Sequence, residues 1–252
     1  MDTITRLNTE ILNQEFGDNH SADCELISLY RQAARIYSMT ESAIAVLSDM
    51  KTNSSYIYYG DFARQLGIDT SSDSNRIGSI WEDDILVRIH PDDLRDKYLL
   101  ELKFFRNYRR TPSLRRSRQY LCHRLRMKDT SGNYIHAIHR MFYIQSPDSD
   151  SIRLALCLYN PATPEFPGSS AVIDSATGQI TNSIIVSDKN ILSKRESQVL
   201  RLIDNGMTSK SIASMLSISI HTVSRHRQEL LSKLQVRNSI EACRLARKLG
   251  LI

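Results

Sequence analysis

Residues 190–252 have the sequence NILSKRESQVLRLIDNGMTSKSIASMLSISIHTVSRHRQELLSKLQVRNSIEACRLARKLGLI. Ser193 and Glu196 have the spacing of a capping box, in which a hydroxyl and a carboxylate satisfy free amides at a helix start. An apolar stripe follows at helical spacing: Val199, Leu200, Leu202 and Ile203. Asn205 and Gly206 then supply residue types that tolerate the left-handed conformation at a helix end. The stretch therefore predicts a first helix that ends near Asn205.

Two more helices are predicted directly after it. Thr208 or Ser209 can cap a short second helix, residues 217–219 interrupt the helical pattern, and Ser219 can cap a third helix. Two helices joined by so short a turn cross steeply, as in a helix-turn-helix. Three apolar residues share one side of the third helix and are predicted to face the core of a small helical domain: Val223, Leu230 and Leu234.

The opposite side of the third helix is polar. It carries His221, Arg225, Gln228 and Ser232, with Ser224 on its edge. These side chains offer hydrogen-bond donors and acceptors rather than an acid-base pair or a metal-ligand set. Such a face suits the edges of bases in a major groove.

Four linked segments resemble, in order and spacing, the LuxR-type DNA-binding domain. They are LSKRE at 192–196, KSIA at 210–213, HTVSRHR at 221–227 and KLQVRNSIEA at 233–242. The resemblance covers about a quarter of the chain and implies base contacts from Ser224, Arg225 and Gln228. It implies phosphate contacts from Lys210, Thr222, Arg227 and Lys233.

The same resemblance implies that a fourth helix, about Ser239 to Leu249, makes the dimer contact. The residues implied are Ile240, Cys243, Ala246 and Leu249. The chain departs from the family at two positions, since many members carry lysine in place of Ser224 and glycine in place of Gln235. The first departure concerns the DNA sequence that is read, and the second concerns only the turn after the third helix.

Charge is distributed unevenly along the chain. The whole chain carries a net charge of +5, but residues 190–252 carry +7, from 11 Lys and Arg against 4 Asp and Glu, and residues 1–189 carry −2. A basic module joined to a nearly neutral one is the electrostatic pattern of a domain that neutralises phosphates. A merely structural helical bundle has no need to place Arg225 and Gln228 together opposite its apolar stripe.

The length of 252 residues and the 41% hydrophobic content predict about two domains, each with its own core. No apolar run approaches the roughly 20 residues of a membrane span. The first residues also lack the charged segment followed by an apolar segment that marks a secretory signal peptide. We therefore expect a cytoplasmic protein with no membrane partner. The four cysteines, Cys24, Cys122, Cys157 and Cys243, are widely spaced. We therefore expect reduced and mostly buried thiols, no disulfide framework and no metal site.

The remaining chain divides into three predicted regions before the domain at 190–252. Residues 1–42 form a helical extension, in which Leu26, Leu29, Tyr30, Ala33, Ala34 and Tyr37 are spaced as one buried stripe. Residues 43–160 form an α+β domain, and residues 161–189 form a linker that starts in a Pro, Gly and Ser-rich segment and contains a hairpin across 171–181.

Within 43–160 the pattern predicts strands, then helices, then an antiparallel meander. The predicted strands are 43–47, 56–59, 119–127, 134–144 and 152–159, and the predicted helices are 61–66 and 91–108. This order resembles a PAS domain, with local marks at IHPDDL (89–94) and at RLRMKD (124–129) leading through Gly132. The overall expectation is an α+β, PAS-like domain with an antiparallel sheet, followed by an all-α, four-helix, LuxR-type domain.

The PAS resemblance implies a sensing or dimerising module without naming a ligand. No cysteine-centred flavin motif is present, and His90, His123, His136 and His139 are placed as ordinary cap or strand residues, so no cofactor is predicted. Haem, a metal ion or a small apolar ligand stay open as alternatives to an interior filled only by side chains. Phe104, Phe105, Phe142 and Tyr143 fit such a packed core.

Six arginines lie within residues 106–118: Arg106, Arg109, Arg110, Arg115, Arg116 and Arg118. They could bind an acidic surface or a phosphate, or could simply stay hydrated at a helix end.

The carboxylate pairs at 83–84 and 92–93 are better explained by helix N-termini than by catalysis, and no nucleophile elbow, phosphate loop or zinc-enzyme spacing is present. We expect no enzyme activity.

The sequence thus predicts a sequence-specific transcription regulator that binds double-stranded DNA as a homodimer. In the first hypothesis it is a one-component regulator, in which a small-molecule signal acts on the PAS-like domain. In the second, a partner protein or phosphorylation controls it and the N-terminal domain binds no small molecule.

Overall fold

The computed structural model describes residues 3–70, 76–162, 170–181, 192–234, 236–248 and 251–252. Its helices are α1 (Thr3–Leu12), α2 (His20–Thr40), α3 (Asp61–Gln65), α4 (Asp83–Leu86), α5 (Pro91–Arg110), α6 (Ser113–Arg116), α7 (Lys194–Asp204), α8 (Ser209–Leu216), α9 (Ile220–Leu234) and α10 (Ser239–Lys248). Its strands are β1 (Ile44–Asp49), β2 (Ser54–Tyr59), β3 (Arg76–Ile77), β4 (Gln119–Lys128), β5 (Tyr134–Gln145), β6 (Ile152–Pro161), β7 (Ser170–Asp174) and β8 (Ile180–Thr181).

The described residues group into two compact units. One unit contains those within 1–8, 95–107 and 182–252, and the other contains those within 9–94 and 108–181. The domain boundaries expected from the sequence stay predictions. No helix of the described residues has both the length and the apolar character needed to cross a membrane.

The eight strands form one antiparallel sheet in the order β3-β2-β1-β6-β5-β4-β7-β8. β4, β5 and β6 form the predicted meander, in which Lys128 pairs with Tyr134 across the turn at 129–133. The Asp129 carboxylate accepts hydrogen bonds from the amides of Ser131 and Asn133, and Gly132 has φ +85°. This is the turn chemistry expected from Asp and Gly at those positions.

The order of strands, helices and meander that carries the PAS resemblance is therefore confirmed. The sheet then continues beyond the expected end of the domain at residue 160. β7 pairs with β4 through Tyr120 and Ile173, and β8 pairs with β7. The hairpin expected near 171–181 adds two strands to the sheet.

α2 covers one face of the sheet. Its Ala34 packs with a buried apolar cluster made of Ala45, Leu47, Tyr58, Ile144, Leu154, Leu156 and Leu158. Leu26, Ile27 and Tyr30 are partly buried against the same cluster. The prediction that Leu29 and Tyr37 belong to the buried stripe is wrong, because their side chains are 62% and 38% exposed.

A buried ionic network joins α2 to β1 and β6. Arg153 of β6 is 3% exposed; its Nε lies 3.2 Å from the carboxylate of Asp23, and its guanidinium also contacts Asp49. Lys51 Nζ lies 3.2 Å from the other oxygen of Asp23. A buried guanidinium is stable only with carboxylate partners. The Asp23 side chain accordingly lies on the side of α2 that faces the sheet. The apolar Leu29 lies outside the face that contains Asp23, Tyr30 and Ala34.

Candidate DNA-binding surface

Each of the three predicted helix starts in residues 193–222 has the expected cap. Ser193 Oγ accepts the Glu196 amide at 3.2 Å, while the Glu196 carboxylate accepts the Ser193 amide at 2.6 Å, which completes the capping box. Thr208 caps α8. Ser219 Oγ accepts the Thr222 amide at 3.0 Å at the start of α9. These bonds satisfy orphan amides and so fix where each helix begins.

The α7–α8 and α8–α9 turns differ in the residues that form them. Gly206, after α7, has φ +78°, as expected from the Asn-Gly pair. Ser217, after α8, has φ +52° although it is not glycine, which carries a modest conformational cost. Its amide reaches the carbonyls of Ala213 and Ser214, which satisfies the end of α8. Sequence patterning indicated the break at 217–219 without indicating this conformation.

α9 has the two-sided character expected of a recognition helix. Val223, Leu230 and Leu234 are fully buried. They share the domain core with six residues of the other helices, each at most 6% exposed: Val199, Leu200, Ile212, Ala213, Ala242 and Ala246. The core fixes which side of α9 faces away from the domain.

The exposed side of α9 presents the predicted base-contacting residues. The Arg225 side chain is 72% exposed, Gln228 is exposed, and Ser224 is half-buried at the edge. Arg225 Nε lies 3.3 Å from a carboxylate oxygen of Glu229, one turn further along the helix. This surface pair holds the guanidinium loosely, since exposed pairs of this kind are worth little. The arginine fork is therefore available to a new partner.

The predicted phosphate-contacting residues do not form one uniform group. Lys210 on α8 is exposed, and Thr222 is half-buried with its hydroxyl 2.8 Å from that of Ser219. Arg227 donates to the hydroxyls of Ser209 at 2.8 Å and Ser239 at 2.9 Å. Arg227 thereby ties α9 to the starts of α8 and α10, a structural task that sequence spacing did not indicate.

Lys233 is also engaged inside the domain. Its ammonium lies 2.7 Å from both carboxylate oxygens of Glu196, whose side chain is 2% exposed, while the lysine side chain is 34% exposed. Burial raises the pKa of Glu196, but hydrogen bonds from Lys233 and from the Ser193 amide outweigh it, so the pKa lies below its ordinary value. Glu196 therefore links the start of α7 to the end of α9.

The predicted dimer-contact residues are divided by burial. Ile240 on α10 is 83% exposed, whereas Ala246 is fully buried and Cys243 is 9% exposed. Leu249 lies outside the described residues. Of the three that are described, Ile240 is the residue with substantial surface to offer a second chain.

Comparison with protein families matches residues 190–246 to the bacterial regulatory proteins of the luxR family. These residues form a LuxR-type helix-turn-helix domain. The uncharacterised response regulatory protein YgeK of Escherichia coli (strain K12) is 42% identical over 64 residues, which cover 25% of this chain and 44% of YgeK. The transcriptional regulatory protein DesR of Bacillus subtilis (strain 168) is 39% identical over 66 residues, which cover 26% of this chain and 33% of DesR. The chain therefore spans less than half the length of these curated relatives, through its LuxR-type domain.

Two solved structures align over most of the chain at low similarity. A phage VqmA–DPO complex has 14% identity and a TM-score of 0.31, covering 90% of this chain and 91% of that one. SdiA of Escherichia coli has 17% identity and a TM-score of 0.28, covering 98% of both chains.

Outside the LuxR-type domain, the sheet has a polar row on the face away from α2. His123, His139 and Tyr159 are aligned partners on β4, β5 and β6, and each is at most 1% exposed. The ring of His139 stacks on that of Tyr159 with centroids 4.6 Å apart. Tyr159 donates a hydrogen bond of 2.6 Å to Glu82, which is 4% exposed. This polar row was not predicted from sequence, because a two-residue period shows which residues share a face but not which face is enclosed.

The other predicted histidines have local roles or surface positions. His90 Nδ1 accepts the Asp92 amide at 3.2 Å near the start of α5, and His136 is exposed. Within the described ranges, no cluster of three or more His, Cys, Asp or Glu side chains has the arrangement of a metal site.

Proposed function

We propose that this chain is a sequence-specific DNA-binding transcription regulator. The observation that carries the proposal is the exposed face of α9, where Arg225 and Gln228 project opposite the buried residues Val223 and Leu230. Arginine can pair bidentately with guanine and glutamine with adenine in a major groove. The net charge of +7 on residues 190–252 supplies the attraction to phosphates.

Two chains place their α9 helices in neighbouring major grooves of an inverted repeat, with half-sites about one helical turn apart. Ser224 lies beside Arg225 and contributes a short polar contact. Lys210 and Thr222 approach phosphates on either side of the groove. The exposed Ile240 of α10 supports contact between the two chains.

The chain acts by binding and not by catalysis. The PAS-like domain modulates DNA binding in response to a small molecule, for which the polar row of His123, His139 and Tyr159 with Glu82 supplies buried hydrogen-bonding groups.

A second mode of control is supported by α2. Leu29, Ile36 and Met39 are 62%, 59% and 71% exposed and lie on the side of the helix away from the sheet. Exposed apolar residues at helical spacing favour contact with another protein. In this mode a partner protein, and no small molecule, acts through the N-terminal region. Mass spectrometry of the denatured, purified protein separates the modes, because a stoichiometric small molecule supports the first and its absence from active protein supports the second.

Phosphorylation is a third form of control left open by the sequence. It requires a stable acyl phosphate on an aspartate of the N-terminal region. Incubation with a labelled phosphodonor tests it, and failure to incorporate label counts against it.

The proposed function is tested by selecting DNA sites from a random duplex pool with the full chain, at two salt concentrations. Enrichment of an inverted repeat, lost with Arg225→Ala, is the expected result. Salt-sensitive binding without any enriched sequence contradicts sequence-specific recognition by the full chain alone, with no signal molecule or partner added.

A further inference from the structure

A polar cleft of about 690 Å³ lies in the unit that contains the sheet. Its walls are residues 13–17, which follow α1, residues 149–151, which precede β6, and the side chains of Arg109 and Arg116. Two members of the arginine run therefore meet in one concave surface. We name this surface the arginine cleft.

Arg116 is buried and only weakly partnered. It is 7% exposed, and its contacts are one NH2 group 3.4 Å from Asp150 and a guanidinium carbon 6.0 Å from the centre of the Tyr108 ring. Its Nε is fully buried and makes no hydrogen bond within the described structure. A guanidinium has five N–H donors, so most of its capacity is unused. Burying a cation in this way is costly unless a further partner is supplied.

Asp150 is a poor permanent partner for this guanidinium. Its side chain is 83% exposed, and the same oxygen accepts a shorter hydrogen bond of 2.8 Å from Gln145 Nε2. The other acidic residue of the lining, Glu15, is exposed. Both carboxylates can stay hydrated at the rim, whereas Arg116 cannot leave the cleft. The formal charges of the four ionised lining residues cancel, but the buried one among them is the cation Arg116.

The wall formed by residues 13–17 is held in place. The Gln14 side chain accepts the Ile152 amide at 2.9 Å and donates to the Ile152 carbonyl at 3.3 Å. At Gly17 a Cβ atom would lie 2.0 Å from the Asp148 carboxylate, so no larger residue fits without displacing that side chain. A concave surface held by such contacts is formed before any ligand arrives, which lowers the cost of binding.

We propose that the arginine cleft binds a small molecule through a carboxylate or phosphate group, whose oxygens pair with the guanidinium of Arg116. Planar guanidinium and oxyanion geometries match, and the hydrogen bonds are charge-assisted. Arg109, in the last turn of α5, supplies a second positive charge at the same cleft. The chemical class is a small molecule that carries an oxyanion, because the lining is mainly polar and includes the buried guanidinium of Arg116.

The test uses the full chain, with inorganic phosphate and malonate as separate probes in calorimetric titrations at constant ionic strength. Saturable binding to the wild type is expected for at least one probe, and the stronger probe shows whether phosphate or carboxylate is the preferred group. Arg116→Lys keeps the charge but loses the planar fork, so binding weakens by about tenfold. Arg116→Gln abolishes it, while the matched control Arg115→Gln, one residue earlier and exposed, leaves it unchanged.

Persistence of binding in folded Arg116→Gln overturns the proposal, because the anion then lies elsewhere, for example on the basic residues of 190–252. Absence of saturable binding to the wild type overturns it as well. If Arg116→Gln and Arg116→Lys do not fold, Asp150→Asn decides the question, since it removes the exposed negative charge beside Arg116 and keeps an oxygen that can accept from Gln145. Tighter anion binding by Asp150→Asn, by about threefold or more, supports the proposal, and unchanged or weaker binding overturns it.

Discussion

Lys233 Nζ lies 2.7 Å from both carboxylate oxygens of Glu196, which joins the C-terminal end of α9 to the capping box at the start of α7. The pair spans 37 residues of sequence and fixes two of the helices of the LuxR-type domain against each other. The side chain expected to meet a phosphate thus has an internal partner in the protein without DNA.

Lys233→Ala is expected to lower the free energy of unfolding by about 1–3 kcal/mol, since it leaves the buried Glu196 carboxylate without its cation. The lysine is one-third exposed, and solvent screening places the effect below that of a fully buried pair. Urea unfolding measures it, with Lys194→Ala, at an exposed position at the start of α7, as the control. A stable variant that has lost affinity for all DNA would instead identify Lys233 as chiefly a phosphate contact.

The same pair predicts a pH dependence of stability. The pKa of Glu196 in the folded protein lies below its ordinary value. Its stabilising contribution is therefore complete above the unfolded pKa of about 4.3 and is lost as the pH falls through the lower folded pKa. The stability difference between the wild type and Glu196→Gln should shrink over this acidic range and stay constant above about pH 6. A difference that grows on acidification would contradict the assignment.

Arg225→Ala and Gln228→Ala are expected to lose discrimination between DNA sequences by about 1–3 kcal/mol per base contact. Lys210→Ala should weaken binding to all sequences alike and reduce the salt slope by about one. Binding measured on the selected site and on random DNA at several salt concentrations separates the two effects. Equal losses on both DNAs for Arg225→Ala would show that Arg225 does not read a base.

Ile240→Asp is expected to weaken association between two chains without lowering the melting temperature, because the side chain is 83% exposed in the single chain. Sedimentation of the protein on its selected site measures the association. Ala246→Asp is the contrasting variant and should unfold the LuxR-type domain, since Ala246 has no exposed surface. A dimer unaffected by Ile240→Asp would place the contact elsewhere.

Asp23→Ala is expected to destabilise the sheet-containing unit by about 1–3 kcal/mol, because the buried Arg153 loses one carboxylate partner and keeps Asp49. Asp18→Ala is the control; its carboxylate is fully exposed and 3.9 Å from Lys51, so no measurable change is expected. Urea unfolding monitored by tyrosine and tryptophan fluorescence gives both values. Similar behaviour of the two variants would show that the ionic network contributes little.

The native protein is expected to expose one rapidly reacting thiol among its four cysteines, namely Cys24. Burial raises the pKa of Cys122 and of Cys243 to about 11, and Cys157 is also buried. Thiolate is the reactive form, so maleimide at about pH 7.5 should label Cys24 first and label the others only on unfolding. Cys24→Ser should abolish the fast phase; a fast phase that remains would mean that a buried site opens readily.

Local signals made several parts of this protein predictable. The caps at Ser193, Thr208 and Ser219 and the break at Gly206 follow from hydrogen bonds within a few residues, and the structure confirms each of them. The meander was predictable because period-two patterns and the 129–133 turn are also local. A helical extension was predicted for residues 1–42, but α1 was not resolved within it as a separate helix, because its threonine and asparagine residues give a weak helical signal.

The amino-acid sequence by itself determined the helix-turn-helix, its caps, the polar and apolar sides of α9 and the segregation of positive charge. Only the tertiary structure decided which groups the charged residues contact inside the protein. Lys233 pairs with Glu196, Arg227 with two serine hydroxyls, and Arg153 with Asp23. It also decided that Arg116 lines a cleft. The physical reason is the separation along the sequence over which each interaction acts. Capping and periodicity act over one or two turns, whereas the environment of a charge depends on segments that the fold brings together from distant positions.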